Sequence, residues 1–473
     1  MDSEPRVPPS LRSRISRRRL LGLGAVVGLG AAGLGLAACA SPAAPSPTQP
    51  APAGQQKPSA QQPSPAAQAA KIELDYWHPE TREAAVNEDK KWIAAFERAN
   101  PGVTVKYTVI PWGDLNTKIR TAHATNTLPD IVYTYATSHA GWGYEGVTQP
   151  IDDLIKSIGE DRFDEAYLKY AKVDGHAYAV PWFGFNHVLF YRGDWYQEAN
   201  LKPIDTWDSW LNNVKALHKP PDRYGILLYN ANQAEVKYIV SLIALNGGSI
   251  LNEQNEPSTN TPEVIEALRF YKQLAQYSPP GWQDKGETEQ RLAMLKGAGA
   301  HMESSTSFAD NIRTQMKEQP GIEKQVVAVK LPINKGNRQG WVAFSGFGVT
   351  RSTKHRDLVT ALIGSYFTKE RYLEYVQNTV TGWTPVLKDA QTEDYFNHPN
   401  IKPFESIIRA GIEVGKTGVM ESQTYGPNKV ANLIQGANIL KEAVDLLTLQ
   451  DQTPEQVAEW MDKRIREVAK DAG

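Results

Sequence analysis

Apolar and polar residues alternate in two early stretches, Ile72-Leu74-Tyr76 and Val103-Val105-Tyr107-Val109, and each predicts a strand with one buried face. Residues 129–133, Pro129-Asp130-Ile131-Val132-Tyr133, read as a third, short buried strand. Between them the apolar spacing changes to three and four. Trp92, Ile93 and Phe96 share one face of a helix over 84–99, which Asn100-Pro101-Gly102 stops; Leu115, Ile119 and Ala122 mark a helix over 114–126. Strands alternating with helices predict a mostly parallel sheet with right-handed crossovers. Ligands of such sheets lie beyond the carboxyl ends of the strands, here the loops 78–82, 111–114 and 133–142.

The pattern restarts after residue 205. Helices are predicted over 207–218 and 235–245, and from Pro262 behind a Thr261 cap, with Ile265, Leu268, Tyr271 and Leu274 as the apolar stripe. Strands over 224–229, 299–304 and 325–331 alternate with helices over 290–296 and 308–317. A strand at 346–350 and a helix over 358–367 return the chain to the first region, and the rest is largely helical. Between the two patterned regions lies an aromatic run from Trp182 to Tyr191. There the chain is expected to leave one lobe and enter a second, with aromatic side chains facing the gap. The fold class is therefore α/β with two lobes.

Composition changes the picture at the N-terminus. A basic segment, Arg6 to Arg19, precedes the apolar Gly-, Ala- and Leu-rich residues 20–38, which is the layout of an export signal. Ser16-Arg17-Arg18-Arg19-Leu20-Leu21 fits the twin-arginine pattern. Leu36-Ala37-Ala38-Cys39 resembles a lipobox, whose cysteine becomes the lipidated first residue of the mature chain. The alternative is an uncleaved signal anchor, since the apolar stretch is just long enough to span a bilayer. Residues 40–70 are Pro, Ala, Gln and Ser with one charge, Lys57, and read as a disordered tether reaching about 95 Å when extended. Removing residues 1–38 takes away six Arg, Asp2 and Glu4, so the net charge of −2 becomes −6.

Several function classes drop out. No basic run lies beyond the export segment, so nucleic acid has no electrostatic footprint. Cys39 is the only cysteine, which leaves no disulfide framework, Cys-based metal site or thiol nucleophile. The nine His contain no H-E-x-x-H, and Ala343-Phe344-Ser345-Gly346-Phe347 lacks the first Gly of a nucleophile elbow. Gly28-Leu29-Gly30-Ala31-Ala32-Gly33 has the spacing of a dinucleotide loop but lies inside the export signal. No catalytic residue, cofactor or metal is expected. Carboxylates are numerous, so a glycosidase built on two of them stays open on composition.

The ordered pieces Phe96-Glu97-Arg98-Ala99-Asn100-Pro101-Gly102-Val103, Leu128-Pro129-Asp130-Ile131-Val132 and Asp174-Gly175-His176-Ala177-Tyr178-Ala179-Val180-Pro181 carry a resemblance. So do Leu189-Phe190-Tyr191-Arg192, Thr206-Trp207-Asp208, Gly247-Gly248-Ser249-Ile250-Leu251, Ala267-Leu268-Arg269-Phe270-Tyr271 and Gly382-Trp383-Thr384-Pro385. Over roughly 72–469 the chain resembles the extracellular solute-binding proteins of ABC importers, in the sugar-binding family that includes maltose-binding protein. The resemblance implies a type II periplasmic-binding-protein fold, with a ligand cleft between lobes joined by hinge crossings near 180–182, 329–331 and 368–375. Its division of the chain is 1–39 signal with lipobox, 40–70 tether, 71–181 and 329–372 first lobe, 182–328 and 373–473 second lobe. The loop after Asp130, Tyr133-Thr134-Tyr135-Ala136-Thr137-Ser138-His139, departs from the charged or Trp-bearing loop common in the family and leaves the exact sugar open.

A sugar site wants flat aromatic surfaces for C–H faces and fixed amides or carboxylates for hydroxyls. Trp182, Phe183 and Asn186 lie where the lobes part, with Phe185 among them, although the same residues would serve equally as hinge packing. Tyr135 and Trp142 follow a strand end; Glu80 and Arg82 follow the first strand. Glu235 opens a helix ahead of Gly247-Gly248, and Ser304 and Ser305 sit at a strand-to-helix turn. Trp341, Phe347, Trp383 and Tyr425 complete the candidates. The expected function is capture of a sugar or oligosaccharide by a monomer lipid-anchored through Cys39 on the outer face of the cytoplasmic membrane, with ABC permease subunits as partners. The alternatives are a non-sugar solute (a glycerol-phosphate ester, polyamine or peptide) and an exported glycoside-active enzyme.

Overall fold

The computed structural model describes residues 71–379 and 381–470. The expected export segment, the lipidation site Cys39 and the tether fall outside the described residues.

Strands β1 (Ile72–His78), β2 (Val103–Val109) and β3 (Ile131–Tyr135) form close to where alternation predicts them, joined by α1 (Glu83–Ala99) and α2 (Trp112–Ala124). β1 is parallel to both β2 and β3. After β3 comes α3 (Ala136–Glu145), then a hairpin of β4 (Lys172–Val173) and β5 (His176–Ala177), closed by Asp174 and Gly175, both at positive φ. The chain then enters β6 (Val180–Arg192), the longest strand. Strands β7 (His301–Ser305), β8 (Val326–Val329), β9 (Val342–Val349) and β10 (Thr384–Pro385) complete the set. The first sheet runs β10-β6-β9-β3-β1-β2, and β7 and β8 add to β6.

β6 ties the two lobes together. Residues 180–186 pair with β9, whereas residues 187–192 pair with β7 and β8. The change of partners falls at Asn186–His187. A strand whose neighbours change continuously needs no loop at the boundary, and nothing in its composition marks the point. The expected strand over 224–229 is instead an irregular extended passage. Leu227 N donates to His301 O at 2.8 Å and Tyr224 N to Ala298 O at 2.8 Å, with one isolated bridge to Gly299.

Both faces of β6 are covered, and this decides two of the candidates. Trp182, 1% exposed, packs edge-on against Phe367 (4.9 Å) and Tyr372 (4.8 Å), with Tyr375 at 5.1 Å. Phe347, also 1% exposed, lies 5.5 Å from Trp182 and 5.1 Å from Tyr133. Neither offers surface to a ligand; both are core of the first lobe, a correction to their expected place in the cleft. The Gly382-Trp383-Thr384-Pro385 segment has its own reason. Gly382 is at φ +93°, and a Cβ there would stand 2.1 Å from Thr306 O, so only glycine fits.

Two helices of the second lobe start on recognisable caps. Thr206 accepts from Ser209 N in a capping box before Trp207–Leu217, and Thr261 accepts from Val264 N before Pro262–Ala275. Among the described residues no helix is long and apolar enough to cross a membrane.

Candidate functional site

A cavity of about 910 Å³ opens where β6 changes partners, with Phe185 and His187 both on its wall. The first lobe contributes Arg82 from the loop after β1, Tyr135 from the end of β3, and Trp142 from α3. The opposite wall carries Glu235, Lys237, Glu287 and Arg291, with Trp341 and Glu421 beside them. Tyr135, 37% exposed, stands 5.4 Å from the Phe185 ring, and Trp341 lies edge-to-face with His187 at 4.7 Å. Aromatic faces and polar groups thus share one concave surface.

The floor is an ionic network around Glu287. Its Oε1 accepts from Arg291 Nη2 at 2.6 Å, Ser304 Oγ at 2.6 Å and Ser305 N at 2.9 Å; its Oε2 accepts from Lys237 Nζ at 2.9 Å. Burial by itself would raise the Glu287 carboxyl, but Arg291 and Lys237 outweigh it and hold the group well below the usual carboxylate range. Burial works against the Lys237 ammonium too, and Glu287 and Glu235 overcome it, so the pair is charged. Behind the floor, burial pushes Glu303 well up, and its Oε1 takes the Ser241 hydroxyl. His187 is fully buried, brought down to about 3 by burial, and hence neutral, with Nδ1 3.3 Å from Glu303.

Seven of the candidates read from sequence line the cavity: Arg82, Tyr135, Trp142, Phe185, Glu235, Ser305 and Trp341. The others are placed elsewhere. Glu80 is 2% exposed; its Oε1 accepts from Thr81 N, Arg82 N and Arg82 Nε at 3.0, 2.7 and 2.9 Å, so it holds the loop that presents Arg82. Ser304 lies under the floor. Phe183 is stacked on Trp383 at 3.5 Å, both 1% exposed, and the Arg82 guanidinium sits 4.8 Å from the Trp383 ring. Asn186 is fully buried, its Nδ2 within 3.0 Å of Tyr167 OH, Thr384 Oγ1 and Gly411 O. Tyr425 is exposed but away from the cavity wall, where Arg338 donates to its hydroxyl at 3.1 Å. These residues brace the site without facing it.

Lys237, Glu287, Arg291 and Glu421 were not legible as site residues. Glu287 and Arg291 have the i, i+4 spacing of an ordinary solvated helix pair. The one available signal was Lys237, two residues after Glu235 on the helix expected to face the cleft.

A model of the bacterial extracellular solute-binding proteins matches residues 80–371, more than half of the chain. The chain belongs to that family. Among its relatives is the diacetylchitobiose binding protein of Streptomyces coelicolor, 26% identical over 266 residues, which span 54% of this chain and 60% of that one. Two solved solute-binding structures share the fold. One is an ABC transporter solute-binding protein of Agrobacterium radiobacter in complex with ribitol (19% identity, 84% of this chain and 99% of that one, TM-score 0.68). The other is the maltose-bound MalE3 of Thermotoga maritima (18% identity, 84% and 100%, TM-score 0.70). Both span the described lobes of this solute-binding protein, which is thus of the two-lobed, type II kind.

Proposed function

We propose that this solute-binding protein captures a sugar or oligosaccharide outside the cytoplasm and delivers it to the membrane subunits of an ABC importer, making and breaking no covalent bond. The observation that carries the reading is the cavity of about 910 Å³ at the strand shared by both lobes, where Tyr135, Phe185 and Trp341 lie among carboxylates and amides. Aromatic faces take sugar C–H surfaces and fixed polar groups take hydroxyls. The solutes in the names of the relatives, diacetylchitobiose, maltose and ribitol, are all polyhydroxylated. A ligand held by both lobes favours their closed arrangement over the open one, which is the signal a permease would read. A phosphate-ester ligand fits less well, because Lys237 and Arg291 are already engaged by Glu287.

Tryptophan-fluorescence titration of the purified protein against a sugar panel, with product analysis of the same mixtures, tests the reading. A saturable change with every sugar recovered intact is expected. Turnover, or no response to any sugar, overturns it.

In the same reading the mature protein begins at lipidated Cys39 after twin-arginine export and works as a monomer tethered to the outer face of the membrane. Cys39→Ser should then move most of the protein from the membrane pellet to the soluble extracytoplasmic fraction. Retention of Cys39→Ser in carbonate-washed membranes would mean that residues 20–38 stay in place as an anchor.

A further inference from the structure

The charges on the cavity wall do not cancel once those tied elsewhere are set aside. Arg82 is held by Glu80 at 2.9 Å, Arg120 by Glu145 at 3.2 Å, and Asp310 by Arg313 at 2.7 Å, all three partners lying off the wall. What remains is Lys237 and Arg291 against Glu235, Glu287 and Glu421. Glu287 takes the close contacts with both cations. Glu235 Oε2 is 3.8 Å from Lys237 Nζ, beyond hydrogen-bond reach, and Glu421 is near enough to act on the same ammonium. One buried oxygen of Glu235 and one of Glu421 have no hydrogen-bond partner. Two cations facing three carboxylates leave one negative charge in a closed-in place, where it is costly without a counter-charge. Burial raises the carboxyls of Glu235 and Glu421 alike, the response of acids whose counter-charge is incomplete.

A second feature shows that this corner is unfinished. Trp341 is only 7% exposed, and its indole N–H influences the Glu421 carboxyl without reaching hydrogen-bond geometry with it or any other group. Lys237 Nζ already lies over its ring, 5.4 Å from the centroid, so the N–H edge of Trp341 and the Phe185 ring face are what this corner offers a ligand.

Resting on the sugar reading above, we infer that the ligand is an amino sugar: a hydroxyl-rich ring whose single ammonium is received by Glu235 and Glu421 beside Trp341. The ammonium supplies donors to the two unpartnered carboxylate oxygens and balances the surplus charge. A neutral sugar meets only the first need. A uronic acid or sugar phosphate adds to the surplus and is disfavoured.

Calorimetric titration at slightly acid pH and low salt, with the glucosamine disaccharide of chitosan, its diacetylated counterpart and a glucuronate-containing disaccharide, decides the point. The free amine should bind at least about ten-fold tighter than the acetylated form, with the uronate weakest, since charge-assisted hydrogen bonds are the stronger ones. In Glu235→Gln and Glu421→Gln the ratio of amine to acetylated affinity should fall toward one. Equal or tighter binding of the acetylated or uronate sugar overturns the inference while leaving sugar capture intact. A linear diamine that binds when no sugar does keeps the cation assignment and removes the sugar reading; silence from every probe removes both. Should either Gln variant fail to fold, the ligand order on the unaltered protein still decides.

Discussion

Glu287→Ala is expected to lower unfolding free energy by about 3–5 kcal/mol, the range for breaking one side of a buried ion pair, and to abolish ligand capture. Two cations and two neutral donors converge on this one carboxylate at 2.6–2.9 Å. Lys237 and Arg291 would lose their close acceptor while remaining inside the wall. With Glu287 gone, the largest of the charges that offset burial of the Lys237 ammonium is lost, and Arg291 keeps only neutral acceptors such as Ser304 Oγ, 2.8 Å from its Nε. Glu287→Gln keeps the shape and an acceptor for Ser305 N but not the charge, so it should fall between the two.

The pH dependence separates charge from shape. The folded-state pKa of Glu287 is depressed, so its contribution is complete above the unfolded carboxylate range and is lost as pH falls below it toward the folded value. The parent protein should therefore lose this stability as it is acidified, and Glu287→Gln should lack that component. Urea unfolding at neutral and acid pH, with ligand titration at neutral pH, reads both. An alanine variant with the parental midpoint and undiminished affinity would show that the network is not the floor of the site.

The contrast between what could and could not be read in the chain follows from where the physical information lies. β1, β2, α1 and the helix Pro262–Ala275 are amphipathic or capped, and their periodicity and caps are local properties. β6 is buried along almost its whole length, so no alternation separates Trp182, which packs on Tyr372, from Phe185, which meets the cavity. An aromatic run on such a strand marks the middle of the molecule without saying which ring faces the ligand. Glu287 fails for another reason. Its role is created by Lys237, 50 residues away in sequence, and by Ser304 and Ser305 at the end of β7. A charged pair on a helix acquires meaning only when distant elements exclude water from it. Three of the candidates that did reach the cavity, Arg82, Tyr135 and Trp142, came from the rule that ligands lie beyond strand ends, which depends on topology and not on side-chain chemistry.

Asp89→Asn is expected to stabilise the protein in neutral and alkaline solution, by on the order of 4 kcal/mol at pH 7. Asp89 lies on the inner face of α1, 2% exposed, where its Oδ2 accepts from Tyr107 OH at 2.9 Å. Burial pushes its carboxyl up to about 8, only partly offset by the Tyr107 hydrogen bond, with the negative Glu80 and Glu88 adding to the rise. Among the described residues no Lys or Arg pairs with it. His78, 3.7 Å away, is brought down to about 3 by burial, and its Nδ1 accepts from Glu80 N at 3.0 Å, so the neutral ring carries its proton on Nε2. Because the folded pKa is raised, the folded chain keeps a proton that the unfolded chain releases above about pH 4. Stability therefore falls as pH rises from about 4 to about 8, then levels off. Asparagine retains the oxygen that accepts from Tyr107 and carries no charge, so this fall should disappear. Any poorly satisfied hydrogen on the introduced amide would shift the unfolding midpoint equally at every pH, whereas the proton term appears only in the slope. Urea midpoints of parent and variant at pH 4.5 and pH 8 should converge at the lower value and part at the higher. A constant offset between them would mean that Asp89 is already ionised in the folded protein, and that the buried cluster beneath the Arg82 loop accommodates its charge.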